Sequence, residues 1–179
     1  CAQVDASADK TEYFRTLAEM STYASSGFFR YGIDADMKSS KENLFELGQG
    51  GISLGEKEYY VENDENTQNL RNKFPEMVVR LFQLTGDDEA QAQTRMQDVM
   101  RIETRLAQAS LSNVEQRDPA NLYHKMTVEE LKQGFGGLDW DVFFGAIGVE
   151  AKELNVAVPA HLKEVESIIR SESLDALKN

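Results

Sequence analysis

Two consecutive stretches whose apolar residues recur at helical spacing constrain this chain more than anything else in it. From Thr67 onward Leu70, Phe74, Met77, Val78 and Leu81 share a helical face, and after Gly86 a second stripe runs through Ala92, Met96, Val99 and Leu106. Pro75 has no backbone N–H, so it is expected to kink or restart the first helix, and Gly86 to end it. Asp87 and Asp88 suit the start of the second, where a side-chain oxygen caps free N–H groups and negative charge meets the positive end of the helix dipole. Two amphipathic helices of this kind need further elements against which to bury their stripes.

Most of those elements also read as helices. Asp9 and Glu12 have capping-box spacing; Phe14, Leu17 and Ala24 then fall near one face, with Tyr13, Met20 and Tyr23 beside them. Thr127 with Glu130 makes a second box, and Asp139 can cap a segment carrying Trp140, Phe143 and Phe144. Pro159 stands where a first helical turn tolerates proline, ahead of Leu162, Val165 and Ile169. The exception lies before Gly48. Residues 28–33 are aromatic and apolar, 34–43 are polar, and Leu44, Phe45 and Leu47 resume the apolar character, which reads as two short strands joined by a hairpin. Gly48, Gly50, Gly51 and Gly55 then break regular structure; no Lys-Ser/Thr pair follows them, so they do not make a phosphate loop. With no internal repeat, the expected fold is mainly α, one multi-helix segment over residues 1–179 with a small β-hairpin near its N-terminus.

Charge removes some partner classes. Thirty-one acidic against nineteen basic side chains give a net charge of -12, which opposes binding to phosphate backbones and to anionic membrane surfaces. Nucleic acid is not an expected partner. The short apolar run 142–147 contains Gly145, and nothing in the sequence approaches the length of a transmembrane segment. Cys1 is the one cysteine, so no internal disulfide can form. It reads either as the lipid-bearing first residue of a processed bacterial lipoprotein or as the edge of a fragment; the near-immediate start of a helix favours the fragment.

A search for catalytic chemistry finds little. The usual helical zinc device places histidines at i and i+4 with a Glu beside the first, whereas His124 and His161 stand alone and each reads as a surface histidine. No Ser occupies a Gly-x-Ser-x-Gly elbow. Glu62, Asp64 and Glu65 lack the spaced ligands of a calcium loop and read as solvated charge. The pairs Asp87 with Asp88 and Glu129 with Glu130 read as helix starts. Trp140, Phe143 and Phe144 could form a binding platform, but their helical spacing points to a core.

Several segments, in order, resemble the N-terminal region of the neprilysin and endothelin-converting enzyme family, which includes the bacterial oligopeptidases of the O type. Residues 49–60, QGGISLGEKEYY, are similar to that family's Gln, glycine-containing turn and paired tyrosines, here Gln49, Tyr59 and Tyr60, with Gly55 where the family usually has proline. Residues 99–107, VMRIETRLA, resemble its Ile/Leu-Glu-x-x-Leu-Ala helix. The most specific match is 117–131, RDPANLYHKMTVEEL, carrying Arg117, Asp118, Pro119, Tyr123, Lys125 and Met126. Trp140 and Phe144 resemble the aromatic pair that follows, and 156–162, VAVPAHL, resembles a Val-x-x-Pro-x-Tyr-Leu stretch with Pro159 in place and His161 at the aromatic position.

The resemblance implies a non-catalytic helical cover, or lid, domain of a zinc metalloendopeptidase that cleaves oligopeptides. On this reading the zinc-binding His-Glu-x-x-His helix and the substrate clamps belong to a catalytic domain of the same polypeptide outside this chain. The chain itself is then expected to hold no catalytic or metal residue and to be inactive alone. The parent is expected to be extracytoplasmic, periplasmic or anchored to the cell envelope. The alternative is a free-standing helical interaction or ligand-binding module, possibly a lipoprotein. Asp118 before Pro119, amphipathic Tyr123 and capping Thr127 give the 117–131 motif the character of a structural corner.

Overall fold

A computed structural model describes residues 2–23 and 27–179; Cys1 and Ala24, to which the sequence attached roles, lie outside them. The chain opens with the short α1 (Ala2–Asp5) and α2 (Lys10–Ser21). The strands β1 (Phe29–Asp36) and β2 (Ser39–Gln49) follow, then α3 (Glu58–Val61), α4 (Glu65–Leu84) and α5 (Glu89–Ala109). Two 3-10 turns, Glu115–Arg117 and Pro119–Asn121, lead into β3 (Lys125–Thr127), α6 (Val128–Gly134), α7 (Trp140–Ile147), β4 (Glu153–Val156), α8 (Pro159–Ser171) and α9 (Leu174–Leu177). The fold is mainly α.

The helix starts are where capping chemistry puts them. Asp9 accepts from the Glu12 N–H at 2.8 Å, although the Glu12 carboxylate turns to the Ala8 N–H at 2.6 Å and so closes the box one residue early. Asp88 with Gln91, and Thr127 with Glu130, make complete reciprocal boxes. Asp64, read as solvated charge, caps α4 through the N–H groups of Asn66 and Thr67. Pro75 neither ends nor restarts α4, which runs through it with Phe74 and Val78 buried on both sides of the proline; packing on α3 and α5 outweighs the lost backbone bond.

The hairpin is larger than expected. The 34–43 segment is strand at both ends, with the turn confined to Met37 and Lys38, and Gly48 sits inside β2 opposite Arg30. The hairpin is also only half of its sheet. β2 pairs in parallel with β4, and β4 antiparallel with β3, giving the order β1-β2-β4-β3. The pairing sets which side chains face the core. Phe29, Tyr31, Phe45 and Leu47 share one sheet face, and α7 lies on it with Trp140, Phe143 and Phe144. The six rings meet at centroid separations of 5.3–6.3 Å, mostly edge to face or tilted, the arrangement their quadrupoles favour. Trp140 is 2% exposed, and its indole N–H donates to the Phe135 carbonyl at 2.9 Å. α5 and α8 are tied by ions: Arg105 binds Glu164 at 2.7 Å and Glu172 at 2.8 Å, and Arg101 binds Glu172 at 2.7 Å.

Candidate functional site

Three of the motif residues, Gln49, Tyr60 and Pro159, converge where the base of the hairpin, the end of α5 and the start of α8 meet. Gln49, the last residue of β2, clamps Leu111 with both ends of its amide: Oε1 accepts from the Leu111 N–H at 2.7 Å and Nε2 donates to its carbonyl at 3.1 Å. Lys57 reinforces this by donating to the Ser110 carbonyl at 2.7 Å. Gly51 and Gly55 are the residues of the turn that backbone geometry restricts to glycine. They have φ +74 and +86, and at Gly51 an added Cβ would also stand 2.9 Å from the Phe28 Cα.

Tyr60 and Glu103 join the first two motifs. The Tyr60 hydroxyl donates to Glu103, the Ser53 hydroxyl and N–H donate to the same carboxylate at 2.5 and 3.1 Å, and the Tyr60 oxygen accepts from the Leu54 N–H at 3.1 Å. Burial, with the neighbouring carboxylate adding to it, pushes the Tyr60 phenol far above its ordinary range, so it stays a donor. Tyr59 is half-buried and takes no part in this network.

His161 corrects the surface reading: it is 1% exposed. Its Nε2 accepts from the Gly50 N–H at 3.3 Å and lies 2.9 Å from the Phe28 carbonyl, while Nδ1 lies 3.1 Å from Ser110 Oγ. Pro159 opens α8 at its first turn and aims His161 into this node. Burial holds the imidazole below its usual range, against the pull of the backbone hydrogen bonds, so it is neutral. His124 is half-buried rather than on the surface, and its backbone N–H donates to Asn155 Oδ1 at 2.7 Å.

The most specific motif forms a second cluster, linked to the sheet. Arg117, Asp118 and Pro119 are exposed, and Asp118 caps the second 3-10 turn through the Ala120 N–H at 2.9 Å. Buried Asn155 on β4 holds the loop that follows, donating to the Leu122 carbonyl at 2.8 Å and to Glu46 at 3.1 Å. Tyr123 stacks beneath Lys38, 4.3 Å from Nζ to ring centroid, with its hydroxyl toward Asp36. Lys125 binds Glu153 at 3.0 Å and buried Asp36 at 3.4 Å; the Lys38 N–H, then the Tyr123 and Lys125 contacts, hold the Asp36 carboxyl below its ordinary range. Met126 packs on the core.

Glu103, Ser110, Asn155 and Asp36 were not singled out from the sequence. Glu103 lay inside a quoted motif, but a Glu in an amphipathic helix ordinarily faces solvent. Among the described residues no three His, Cys, Asp or Glu side chains come together in a way that could hold a metal ion, so nothing here fits a zinc centre. No helix among them is long and apolar enough to cross a membrane. What the arrangement does is fix backbone: Gln49, Tyr60, Asn155 and His161 each tie a loop to an element distant in sequence.

Comparison with known proteins gives the corner a family context. Rat endothelin-converting enzyme 1 is 31% identical over 163 residues, covering 88% of this chain and 21% of that protein. Thus the chain spans about a fifth of the length of the curated relatives it matches. The crystal structure of the Mycobacterium tuberculosis zinc metalloprotease Zmp1, solved with an inhibitor, superposes with a TM-score of 0.92 at 28% identity, covering 99% of this chain and 27% of that one. PepO from Lactobacillus rhamnosis shares the fold, with a TM-score of 0.75 at 15% identity over 99% of this chain and 28% of its own. The model of the N-terminal domain of peptidase family M13 matches residues 1–179, and the chain belongs to that family, the neprilysin and endothelin-converting enzyme group.

Proposed function

We propose that this chain is part of the non-catalytic helical cover of a zinc metalloendopeptidase that cleaves oligopeptides, with the catalytic domain in the same polypeptide. The observation that carries the proposal is the family match over residues 1–179 together with the close superposition on a zinc metalloprotease. The internal geometry is consistent with it. The His161 imidazole is committed to a buried backbone node and so has a structural role in this chain. Zinc, on this reading, is held by the His-Glu-x-x-His helix of the parent, and this chain's contribution is steric. A rigid cover narrows access to the catalytic cavity, admitting short peptides and excluding folded protein. The parent is placed outside the cytoplasm, in the periplasm or anchored to the cell envelope.

The test begins with the reading frame. It should continue past Asn179 into a His-Glu-x-x-His helix, and the full-length protein should hold one zinc per chain and cut short peptides faster than folded proteins. A stop codon at Asn179, or a full-length protein that binds no zinc, would sink the proposal and favour a free-standing module.

A further inference from the structure

We propose that the open face of the β1–β2 hairpin, opposite the aromatic core, is a groove for a short extended peptide whose free carboxylate is taken by Arg30 over a floor made by Gly32 and Gly48. The register puts Arg30, Gly32 and Asp34 of β1 on one face with Glu46 and Gly48 of β2, and these line a cavity of about 530 Å³. The two glycines are diagonal neighbours across the strand pair. Neither has a positive φ, and a Cβ built on either would meet nothing within 4 Å. Backbone conformation and internal packing therefore leave both unexplained, although glycine weakens a strand; the remaining reason for it there is close approach by something from outside.

Arg30 makes the floor selective. In a chain of net charge -12, the guanidiniums of Arg71, Arg95, Arg101 and Arg105 bind acceptors of this protein; Arg30, like Arg15, Arg80 and Arg117, has no ion pair among the described residues, and of these four it is the one that lines the cavity. An arginine fork accepts a carboxylate through two parallel hydrogen bonds. Four residues along the same strand face, roughly 13 Å away at strand rise, Asp34 offers the opposite charge. A peptide of about four extended residues, acidic at one end and cationic at the other, matches both the spacing and the signs.

The groove differs in kind from the exposed stripe of α4, Leu70, Met77, Leu81 and Leu84. Permanent interfaces are apolar, as that stripe is, whereas a polar groove with an unspent cation suits an occupant that comes and goes. The choice of an oligopeptide rests on the function proposed above.

The experiment uses the full-length protein with a chelator present, so that nothing is cleaved, and reads fluorescence anisotropy of a labelled five-residue peptide ending in either a free carboxylate or an amide. Gly32→Val introduces a better strand former, so Tm should hold or rise while affinity for the free-carboxylate peptide falls at least tenfold. Arg30→Gln should leave Tm unchanged and erase the preference for carboxylate over amide. Wild-type affinity in both variants would overturn the proposal. So would a fall in Tm of several degrees for Gly32→Val, which would mean that the protein's own chain already fills the groove. Absence of zinc-dependent cleavage, by contrast, would count against the proposed function and leave the binding result standing.

Discussion

Replacing Trp140 with alanine tests whether the aromatic cluster on the sheet is the centre of stability. The indole is 2% exposed and lies 5.8–6.3 Å from the rings of Phe29, Phe143 and Phe144. Its N–H also satisfies the Phe135 carbonyl at 2.9 Å. Truncation of a buried Trp costs about 3–5 kcal/mol through lost transfer energy and a residual cavity. Part of that is the carbonyl left without its donor, about 1–3 kcal/mol. For a chain of 179 residues each kcal/mol moves Tm by roughly 2–4 °C, so the expected fall is roughly 6–20 °C. Trp140→Phe is the milder probe, since it removes the donor and part of the indole but keeps an aromatic ring in place; its fall should be a third to a half as large. The assay is thermal and urea denaturation followed by circular dichroism. A shift under roughly 2 °C for Trp140→Ala would mean that the ring cluster relaxes around the loss and that the core is anchored elsewhere. In the full-length enzyme the same substitution should also raise the rate of cutting an unstructured protein relative to a short peptide while zinc content stays constant.

Two further outcomes concern the corner and a third the ion pairs between α5 and α8. His161 has a folded pKa below its usual value because it is buried, so between the unfolded value of about 6.5 and the folded one the unfolded chain holds the extra proton. Stability should therefore decline as pH falls below about 6.5, and His161→Gln should flatten that decline in urea midpoints measured between pH 5 and 8. An unchanged slope would show that the node does not titrate. Glu103→Ala leaves the Tyr60 hydroxyl and both Ser53 donors without their acceptor and should cost about 3 kcal/mol by urea denaturation, with Tyr60→Phe costing less. Glu172 is held below the ordinary carboxyl range chiefly by Arg101. Its contribution is thus present above an unfolded pKa of about 4.3 and is lost as pH drops through the folded value; Glu172→Gln should cost about 1 kcal/mol at neutral pH and less in 1 M salt.

The helices were legible because their signals are local. Asp88, Thr127 and Asp139 cap N–H groups three residues on, and the stripes behind them need only a period of 3.6. Elements that depend on distant partners were not legible. β4 has four residues, too few for an alternation to be seen, and exists because β2 and β3 flank it. The far half of the hairpin escaped for a related reason: Ile33 is exposed and its neighbours are polar, so no buried face imprints an alternation there. Pro75 does not restart the helix, because the packing of Phe74 and Val78 outweighs the local cost of a missing N–H.

The same division runs through the functional corner. Gln49, Tyr60 and the 117–131 motif could be picked out as a resemblance, yet nothing in their spacing says what they hold. Gln49 acts on Leu111, Tyr60 on Glu103, and His161 on Gly50 and Phe28, across separations of 43 to 133 residues. A lone histidine reads as a surface residue because imidazole is costly to bury without partners, and three of its partners here are backbone groups or a serine, types that carry no sequence signal. The receiving atoms are mainly main-chain atoms, so substitutions at Leu111, Gly50 or Phe28 leave the acceptor or donor in place, whereas the reaching side chain has no substitute of the same length and chemistry. The clamp side chains should therefore be recognisable in family members while the segments they hold drift. The test is a paired substitution: Leu111→Ala should be tolerated within about 1 kcal/mol when Gln49 is intact, and Gln49→Ala should cost about 1–3 kcal/mol whichever residue stands at 111. Equal losses from the two single substitutions would mean that side-chain packing at Leu111, rather than the amide clamp, holds the corner.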